Sequence, residues 1–215
     1  MHIPDGILPG GVCAAGYVAA GAATALSLAV VRLQADPHQV VPKASTLTAV
    51  FFVASWIHVP VPPASVHLVL NGLLGVVLGP FAFLAILVGL FFQAVLFQHG
   101  GLTTLGVNAT IMGVPALVVG ALFGLGARLW VRSSRWAAVF GFIGGSLATV
   151  LSALAFAVVL VTTVPAALDP SLRTTGVTAL TLAHLPLAAV EGVFTAMVVL
   201  FLRKVQPDLL HGWRR

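Results

Sequence analysis

Residues 81–97 read FAFLAILVGLFFQAVLF, and this apolar run indicates the class of fold. It carries no charged side chain, and turn-forming residues lie on both sides, Gly79-Pro80 before it and His99-Gly100-Gly101 after it. A helix needs about 20 mostly apolar residues to cross the hydrocarbon core of a bilayer. Over the whole chain 60% of the residues are hydrophobic and only 7% are charged, far from the composition of soluble domains. The sequence therefore predicts an integral membrane protein.

Further apolar runs flank this stretch, and together they predict an all-α fold with about seven transmembrane helices. The other runs cover approximately residues 11–31, 47–58, 66–78, 105–131, 136–164 and 179–202. The runs 47–58 and 66–78 are short, so we expect buried or tilted helices there, shielded by their neighbours. Residues 1–215 are predicted to form one membrane domain, with an N-terminal segment (1–10), a helical bundle (11–203) and a tail (204–215).

The basic residues predict the orientation of the bundle. If the N-terminus lies outside, nine of the ten Lys and Arg residues fall on the cytoplasmic side and only Arg173 lies outside. The C-terminus is then cytoplasmic, whereas Met1 and the loop 59–66 share the outer face of the plasma (cell inner) membrane. The chain starts without the Lys or Arg of a signal peptide, and the run that follows is too long for one, so we expect this start in the mature protein.

Composition and missing motifs exclude several classes of protein. Cys13 is the only cysteine, so neither a disulfide framework nor a thiolate metal site is possible. The net charge of +5 comes from scattered residues, without the clusters that nucleic-acid binding needs. Neither Lys43 nor Lys204 follows a glycine as a Walker A loop requires. We therefore expect this chain to have no ATPase activity of its own, no other enzyme activity and no cofactor.

Met1 and His2 form the most informative dipeptide of the chain. In an NH2-Xaa-His sequence the terminal amine, the His amide nitrogen and His Nδ1 can close two fused chelate rings in one plane. Such tetragonal nitrogen coordination suits Ni²⁺ and Cu²⁺, and Co²⁺ less strictly, and it leaves a corner for a second histidine. The following residues, Ile3-Pro4-Asp5-Gly6, favour a type I turn that folds the dipeptide back. A Met-His start also arises by chance.

The remaining histidines fall into two groups. His67 is predicted to open an apolar helix, where an imidazole is either a ligand or must find hydrogen bonds in a dry environment. His99 precedes a glycine-containing loop, which we expect to pack near the site. Interfacial or solvated positions are expected for His38, His58 and His211. Of these, His58 stays an alternative ligand because it lies beside the outer loop.

Glu191 is the only acidic residue inside a predicted span, and His184 precedes it by seven residues. This spacing places both residues on nearly one face of the last helix. Two roles for Glu191 stay open. It either holds this helix to its neighbours through hydrogen bonds or lies in the path of an ion.

Four separated motifs resemble the CbiM/NikM family, the substrate-binding (S) subunits of energy-coupling-factor transporters for cobalt and nickel. They are Met1-His2-Ile3-Pro4-Asp5-Gly6, Ser65-Val66-His67, residues 99–108, and His184-Leu185-Pro186 with Glu191-Gly192. The resemblance extends from residue 1 to about residue 202. It implies a seven-helix fold whose N-terminal segment inserts into the bundle. As partners it implies a transmembrane coupling subunit, ATPase subunits and a small accessory membrane protein.

The resemblance also implies the ligands. The ion is expected on the Met1 amine, the His2 amide and imidazole nitrogens, and the His67 imidazole. Residues expected around these ligands are Asp5, Ser65, His99, Asn108, His184 and Glu191. Many family members carry a Ser-His-Pro-Thr-Gly type of stretch around the second histidine, whereas this chain reads Ser65-Val66-His67-Leu68-Val69. The choice between Co²⁺ and Ni²⁺ therefore stays open, although the resemblance favours cobalt.

The function predicted from the sequence is capture and import of Co²⁺ or Ni²⁺, which would supply cobalamin or metalloenzyme synthesis. Two alternatives remain within transport, a nickel-specific homologue and a standalone secondary metal transporter. A rival from another class is an intramembrane hydrolase that uses Ser146 and His184. Small residues such as those around Ser146 usually serve helix packing, and no oxyanion-stabilising group is identifiable. A His-Glu-Xaa-Xaa-His zinc motif is absent from the sequence.

Overall fold

A computed structural model describes residues 1–34, 37–61, 64–163 and 170–211. These residues are almost entirely helical, with one two-stranded hairpin made of β1 (His58–Val61) and β2 (Ala64–His67). A 3-10 turn at Gly79–Phe81 separates the third helix from the fourth. The helices are α1 (Gly10–Gln34), α2 (Pro37–Ala54), α3 (Asn71–Leu78), α4 (Ala82–Phe97), α5 (Leu105–Leu125), α6 (Ala127–Trp130), α7 (Ser134–Thr163), α8 (Pro170–Val205) and α9 (Asp208–His211).

The predicted all-α membrane fold is confirmed. Among the described residues five segments are long and apolar enough to cross a membrane, namely Gly10–Arg32, Asn71–Phe97, Leu105–Leu125, Ser134–Thr163 and Thr175–Val205. One of them, Asn71–Phe97, joins two of the predicted apolar runs. Another predicted run corresponds to the shorter apolar helix Val40–Ala54. Which side of the membrane each terminus occupies stays a prediction.

The interruption inside Asn71–Phe97 has a local cause. Gly79 adopts a φ of 55°, a conformation that residues with a Cβ rarely take. Pro80 follows and has no amide hydrogen to donate to the preceding turn. The α-helical hydrogen bonding therefore gives way to the 3-10 turn, and the apolar stretch 81–97 begins a new helix.

Helix α3 lies in the core, and all eight of its residues are buried. It contacts α4, α5, α7 and α8, and glycines make this close approach possible. A Cβ on Gly72 would lie 2.6 Å from the carbonyl oxygen of Gly144, and one on Gly75 would lie 2.2 Å from that of Ala116. The tight packing fixes α3, and with it the segment that leads into α3 from His67.

The hairpin corrects the prediction of a loop over residues 59–66 and of a helix that opens at His67. The two strands are antiparallel, and His58 pairs with His67 across them. His67 therefore ends a strand, and α3 begins only at Asn71. The predicted helix start was wrong because the β-branched valines of the hairpin favour extended backbone. In addition, Leu70 takes a left-handed conformation, with φ 53°, directly before the helix.

Candidate metal site

The N-terminal segment lies inside the bundle, since Met1 and Ile3 are both buried. Asn108 of α5 holds the backbone of Ile3 with both ends of its carboxamide. Its Oδ1 accepts from the Ile3 amide over 2.9 Å, and its Nδ2 donates to the Ile3 carbonyl over 3.0 Å. The Thr104 hydroxyl donates to the same carbonyl over 2.6 Å. These hydrogen bonds satisfy both backbone polar groups of Ile3, and they hold the first residues of the chain in place.

Asp5 ties this segment to the loop that follows α4. Its carboxylate accepts hydrogen bonds from the Thr103 hydroxyl (2.5 Å) and from the amides of Thr103 (2.9 Å) and Leu102 (3.1 Å). These bonds, that of the Thr103 hydroxyl above all, lower the pKa of Asp5. A Cβ on Gly101 would lie 2.0 Å from Oδ1 of Asp5, so the contact depends on glycine. Asp5 thus holds the N-terminal segment against the loop after α4.

His67 directs one ring nitrogen at the first atom of the chain. Its Nε2 lies 3.3 Å from the Met1 amine nitrogen. Its Nδ1 lies 2.9 Å from the carbonyl oxygen of Leu68 and, because a carbonyl only accepts, Nδ1 carries the hydrogen. A neutral imidazole has one ring hydrogen, so Nε2 presents its lone pair to the Met1 amine. This is the tautomer that a metal ligand at Nε2 needs.

His2 presents the opposite ring nitrogen. Its Nε2 donates to Oε1 of Gln93 over 2.9 Å. Its Nδ1 is buried and has no hydrogen-bond partner among the described residues. Leaving a buried acceptor unpaired is costly, so the lone pair of Nδ1 is available to a ligand. Nδ1 is also the atom that closes a chelate ring with the Met1 amine and the His2 amide.

His99 completes a cluster of three imidazoles. Its ring centroid lies 4.1 Å from that of His2 and 5.2 Å from that of His67, and the His2 and His67 centroids are 5.1 Å apart. One ring nitrogen from each residue lies within 4.8 Å of the others. Two nitrogen ligands on opposite sides of one ion are about 4 Å apart. A small inward shift would therefore let all three bind one ion, so His99 is a candidate ligand as well as a neighbour.

Burial keeps the Met1 amine and the His2 imidazole uncharged at neutral pH. It lowers the pKa of the Met1 amine from 8.0 to about 5, and it lowers the pKa of His2 well below 6.5. For His2 the nearby amine, His67 and His99 act in the same direction, whereas the hydrogen bond to Gln93 opposes them. At neutral pH both groups can therefore bind a metal ion without first losing a proton.

Comparison with known proteins identifies the family. The family model for a cobalt uptake substrate-specific transmembrane region, CbiM, matches residues 2–209. The chain belongs to the CbiM family. A relative from Sorangium cellulosum, a cobalt transport protein CbiM, is 33% identical and is matched over 98% of this chain and 94% of its own. The fused nickel transport protein NikMN of Rhodobacter capsulatus is also 33% identical, over 98% of this chain and 64% of its own.

Other similar proteins match this CbiM-family chain over different fractions of their length. A putative metal transport protein from Haemophilus influenzae is 38% identical over 57% of each chain. This chain therefore spans little more than half of that relative and about two thirds of the Rhodobacter protein. A crystal structure of a transition metal transporter superposes with a TM-score of 0.75 at 27% identity, covering 98% of this chain and 96% of that one. The two proteins share their fold.

In this CbiM-family chain the histidines face a cavity of about 370 Å³. Met1, His2, His67 and His99 line it together with His184 of α8. His184 Nδ1 donates to the carbonyl oxygen of Leu180 in its own helix, over 2.7 Å. The unprotonated nitrogen of the neutral His184 ring is therefore Nε2, and His184 adds a fourth imidazole to the cavity wall.

Glu191 does not line this cavity in the part of the chain that the structure describes. Its carboxylate accepts hydrogen bonds from the backbone amides of Val69 and Leu70, with both oxygens 3.0 Å from the Leu70 nitrogen. Of the two roles left open by the sequence, the contacts match the first: Glu191 holds α8 to the segment between His67 and α3.

The contacts of Ser146 do not match a hydrolase. Its hydroxyl donates to the carbonyl oxygen of Ala188 over 2.9 Å, and Nδ1 of His184 donates to Leu180. Both groups thus bond to backbone within the described residues. Four sequence predictions lie outside the described side chains, those for Ser65, His38, His58 and His211.

Gln93 was not predicted, although it contacts His2 directly. A signal for it exists, because Gln93 is the only polar residue within residues 81–97. A polar side chain inside a membrane helix is costly unless it is paired, and such residues are often functional. The sequence does not indicate its partner, which lies 91 residues away in the chain.

Proposed function

We propose that this chain is the metal-capturing membrane subunit of an energy-coupling-factor transporter that imports Co²⁺ or Ni²⁺. The observation that carries the proposal is the Met1 amine 3.3 Å from Nε2 of His67, beside the open Nδ1 of His2. With the His2 amide nitrogen, these atoms supply four nitrogen donors. The names of the relatives, which include both cobalt and nickel transport proteins, support a cargo of this class.

The donor set favours late transition metals. Mg²⁺ and Ca²⁺ prefer oxygen ligands, whereas imidazole and amine nitrogens suit Ni²⁺ and Co²⁺. The three donors of Met1 and His2 favour one plane, and His67 completes it, a geometry that suits Ni²⁺. His99 and His184 would raise the coordination number, which suits Co²⁺. Cobalt is favoured by the resemblance, and a nickel-specific protein is the alternative.

Metal analysis of the purified protein tests the site. The protein carries its tag at the C-terminus, is produced with both ions present, and is checked by intact mass for Met1 as its first residue. We expect bound Co²⁺ or Ni²⁺ in the wild type and none in His2→Ala. The His38→Ala variant is the control, because the sequence places His38 in a polar segment away from the site. Equal metal content in His2→Ala and wild type would overturn the proposal.

Moving the terminal amine is a second test of the same ligand set. An N-terminal extension, or acetylation of Met1, removes the amine from the position beside His67 while every side chain remains. We expect metal binding to be lost, whereas the unfolding temperature of the metal-free protein should stay the same. The C-terminally tagged protein is the control, and undiminished binding by the extended protein would contradict the model.

Transport energy is proposed to come from ATPase subunits through a transmembrane coupling subunit, with a small accessory membrane protein as a further partner. The Rhodobacter relative is named a fused protein and extends beyond the region that it shares with this chain, which supports a further module. Metal uptake by cells with and without the ATPase genes decides between two models. Complete dependence on the ATPases supports this assembly, whereas uptake without them favours a standalone secondary transporter.

A further inference from the structure

We infer that Gln93, itself oriented by Ser55, is a positioning residue that fixes the tautomer and ring orientation of His2 so that Nδ1 faces the metal ion. The inference rests on the proposed function, because the choice of ring nitrogen matters only if His2 binds an ion. Gln93 and Ser55 are both buried, with exposed fractions of 0% and 3%. They lie on α4 and directly after α2, so two helices support one N-terminal side chain.

The hydrogen bonds define a direction that starts at Ser55. Its hydroxyl lies 2.7 Å from the carbonyl oxygen of Phe52, which can only accept, so the single hydroxyl hydrogen is donated there. Nε2 of Gln93 lies 3.0 Å from the same hydroxyl oxygen, which therefore accepts from the Gln93 amide. This contact assigns the two ends of the Gln93 carboxamide: the NH2 group faces Ser55 and Oε1 faces His2.

The orientation of Gln93 then determines the protonation of His2. Oε1 of Gln93 is a carbonyl oxygen, 2.9 Å from His2 Nε2, so Nε2 carries the ring hydrogen. Nδ1 of the neutral ring keeps a lone pair, and it is the buried nitrogen that has no hydrogen-bond partner among the described residues. Each bond in the series thus forces the next, from Phe52 through Ser55 and Gln93 to His2.

This direction matters because only Nδ1 can close the chelate ring that includes the Met1 amine and the His2 amide. With the hydrogen on Nδ1, or with the ring turned over, the chelate would lose its third donor. His67 shows the complementary arrangement, since its Nδ1 donates to Leu68 and its Nε2 directs a lone pair at the Met1 amine, 3.3 Å away. Groups that orient a metal-binding histidine in this way typically change metal affinity by about 10–100-fold when they are mutated.

The experiment compares Gln93→Met, which keeps the side-chain length but has no carbonyl oxygen, with Gln93→Glu, which keeps an acceptor for His2 Nε2. Affinity for Ni²⁺ and Co²⁺ is measured by titration of metal-free protein. We expect Gln93→Met to bind about 10–100-fold more weakly and Gln93→Glu to recover most of the loss. Thr149→Val is the matched control, because it removes a buried hydroxyl that bonds to Gly145 in its own helix.

A spectroscopic readout separates positioning from general structural damage. Ring ¹⁵N chemical shifts of metal-free protein with labelled histidine report which nitrogen is protonated, and the His2→Ala spectrum assigns the His2 signals. We expect the Nε2–H form of His2 in the wild type and a mixture of forms in Gln93→Met. A wild-type His2 protonated at Nδ1 would overturn the inference. So would wild-type affinity in Gln93→Met.

If Gln93→Met does not fold, Ser55→Ala decides by the same two readouts, since it frees the carboxamide of Gln93 to turn over. Unchanged tautomer and affinity in that variant would count against the inference. The proposed function fails separately, when His2→Ala retains the ion. An ion that is lost from His2→Ala but retained at wild-type affinity by Gln93→Met rejects only the role of Gln93.

Discussion

Two polar regions are buried in the bundle, and only Leu68 separates them along the chain. One is the histidine cluster (Met1, His2, His67 and His99), and the other is the carboxylate clamp (Glu191 with the amides of Val69 and Leu70). In the clamp, both carboxylate oxygens accept backbone hydrogen bonds. In the cluster, Nδ1 of His2 accepts none within the described residues. Burial is common to both regions, and they differ in that the cluster keeps an unused lone pair, which the proposed metal site needs and the clamp lacks.

The clamp is joined to the cluster by a short piece of backbone but holds none of its nitrogen atoms. Leu70 has a φ of 53°, a left-handed conformation that is uncommon for a residue other than glycine. Glu191 holds the amide of Leu70 and that of Val69, two residues after His67. Changes in the cluster should therefore alter metal affinity with little change in stability, whereas changes in the clamp should do the reverse.

Removing a ligand should have the largest effect. We expect His67→Ala to weaken binding of Ni²⁺ and Co²⁺ by more than about 100-fold, because losing a ligand exceeds the cost of disturbing a residue that orients one. Titration of metal-free protein measures the affinity, and thermal unfolding in the same detergent checks the fold. His184→Ala, on the wall of the same cavity, is expected to lose less. Wild-type affinity in His67→Ala would remove His67 from the ligand set.

Breaking the clamp should destabilise the protein instead. Glu191→Ala leaves the amides of Val69 and Leu70 without their acceptor, and each buried unsatisfied group costs about 1–3 kcal/mol. We expect a clearly lower unfolding temperature, while the protein that remains folded keeps its metal affinity. Glu191→Gln retains a carbonyl oxygen and should lose much less stability. Lost metal binding at unchanged stability in Glu191→Gln would place Glu191 in the ion path after all.

The same two regions show how far sequence reasoning reaches. The long helices were predictable because apolar length alone determines what crosses a bilayer. Met1 and His2 can be proposed as a chelating pair from the sequence because their chemistry is local, and that role stays a prediction. The strand that ends at His67 was not predictable, since it depends on pairing with the strand that precedes it in the chain. Gln93 was missed because its partner is distant in sequence, and a single chain does not reveal such contacts.

Loosening the N-terminal segment should have a smaller effect than removing a ligand. Asn108→Ala removes the carboxamide that holds the backbone of Ile3, so the donors of Met1 and His2 are less well ordered before binding. We expect about tenfold weaker metal affinity, at the lower end of the range for residues that orient ligands. Thr110→Val is the matched control, because its hydroxyl bonds to Gly106 within α5. Equal affinities in the two variants would show that Ile3 needs no such support.

The smallest effect is expected at the buried Met1 amine itself, where mild acidification should cost the protein little metal affinity, in contrast to a free amine. Burial lowers the pKa of the Met1 amine from 8.0 to about 5, so protons compete with metal at this atom only as the pH falls through about 5. In a free peptide that begins Met-His, an amine with a pKa of about 8 adds roughly tenfold weaker binding for each pH unit below that value. Any proton released from the His2 amide affects protein and peptide alike. From the amine alone, the ratio of their affinities for Ni²⁺, measured by competition at pH 8, 7 and 6, should therefore rise about tenfold per unit in favour of the protein. Below about pH 6.5 it should rise further, because the free imidazole of the peptide also binds protons there. Parallel pH profiles would mean that the amine in the protein is as accessible to protons as in the peptide, and the amine would then not belong to the buried cluster.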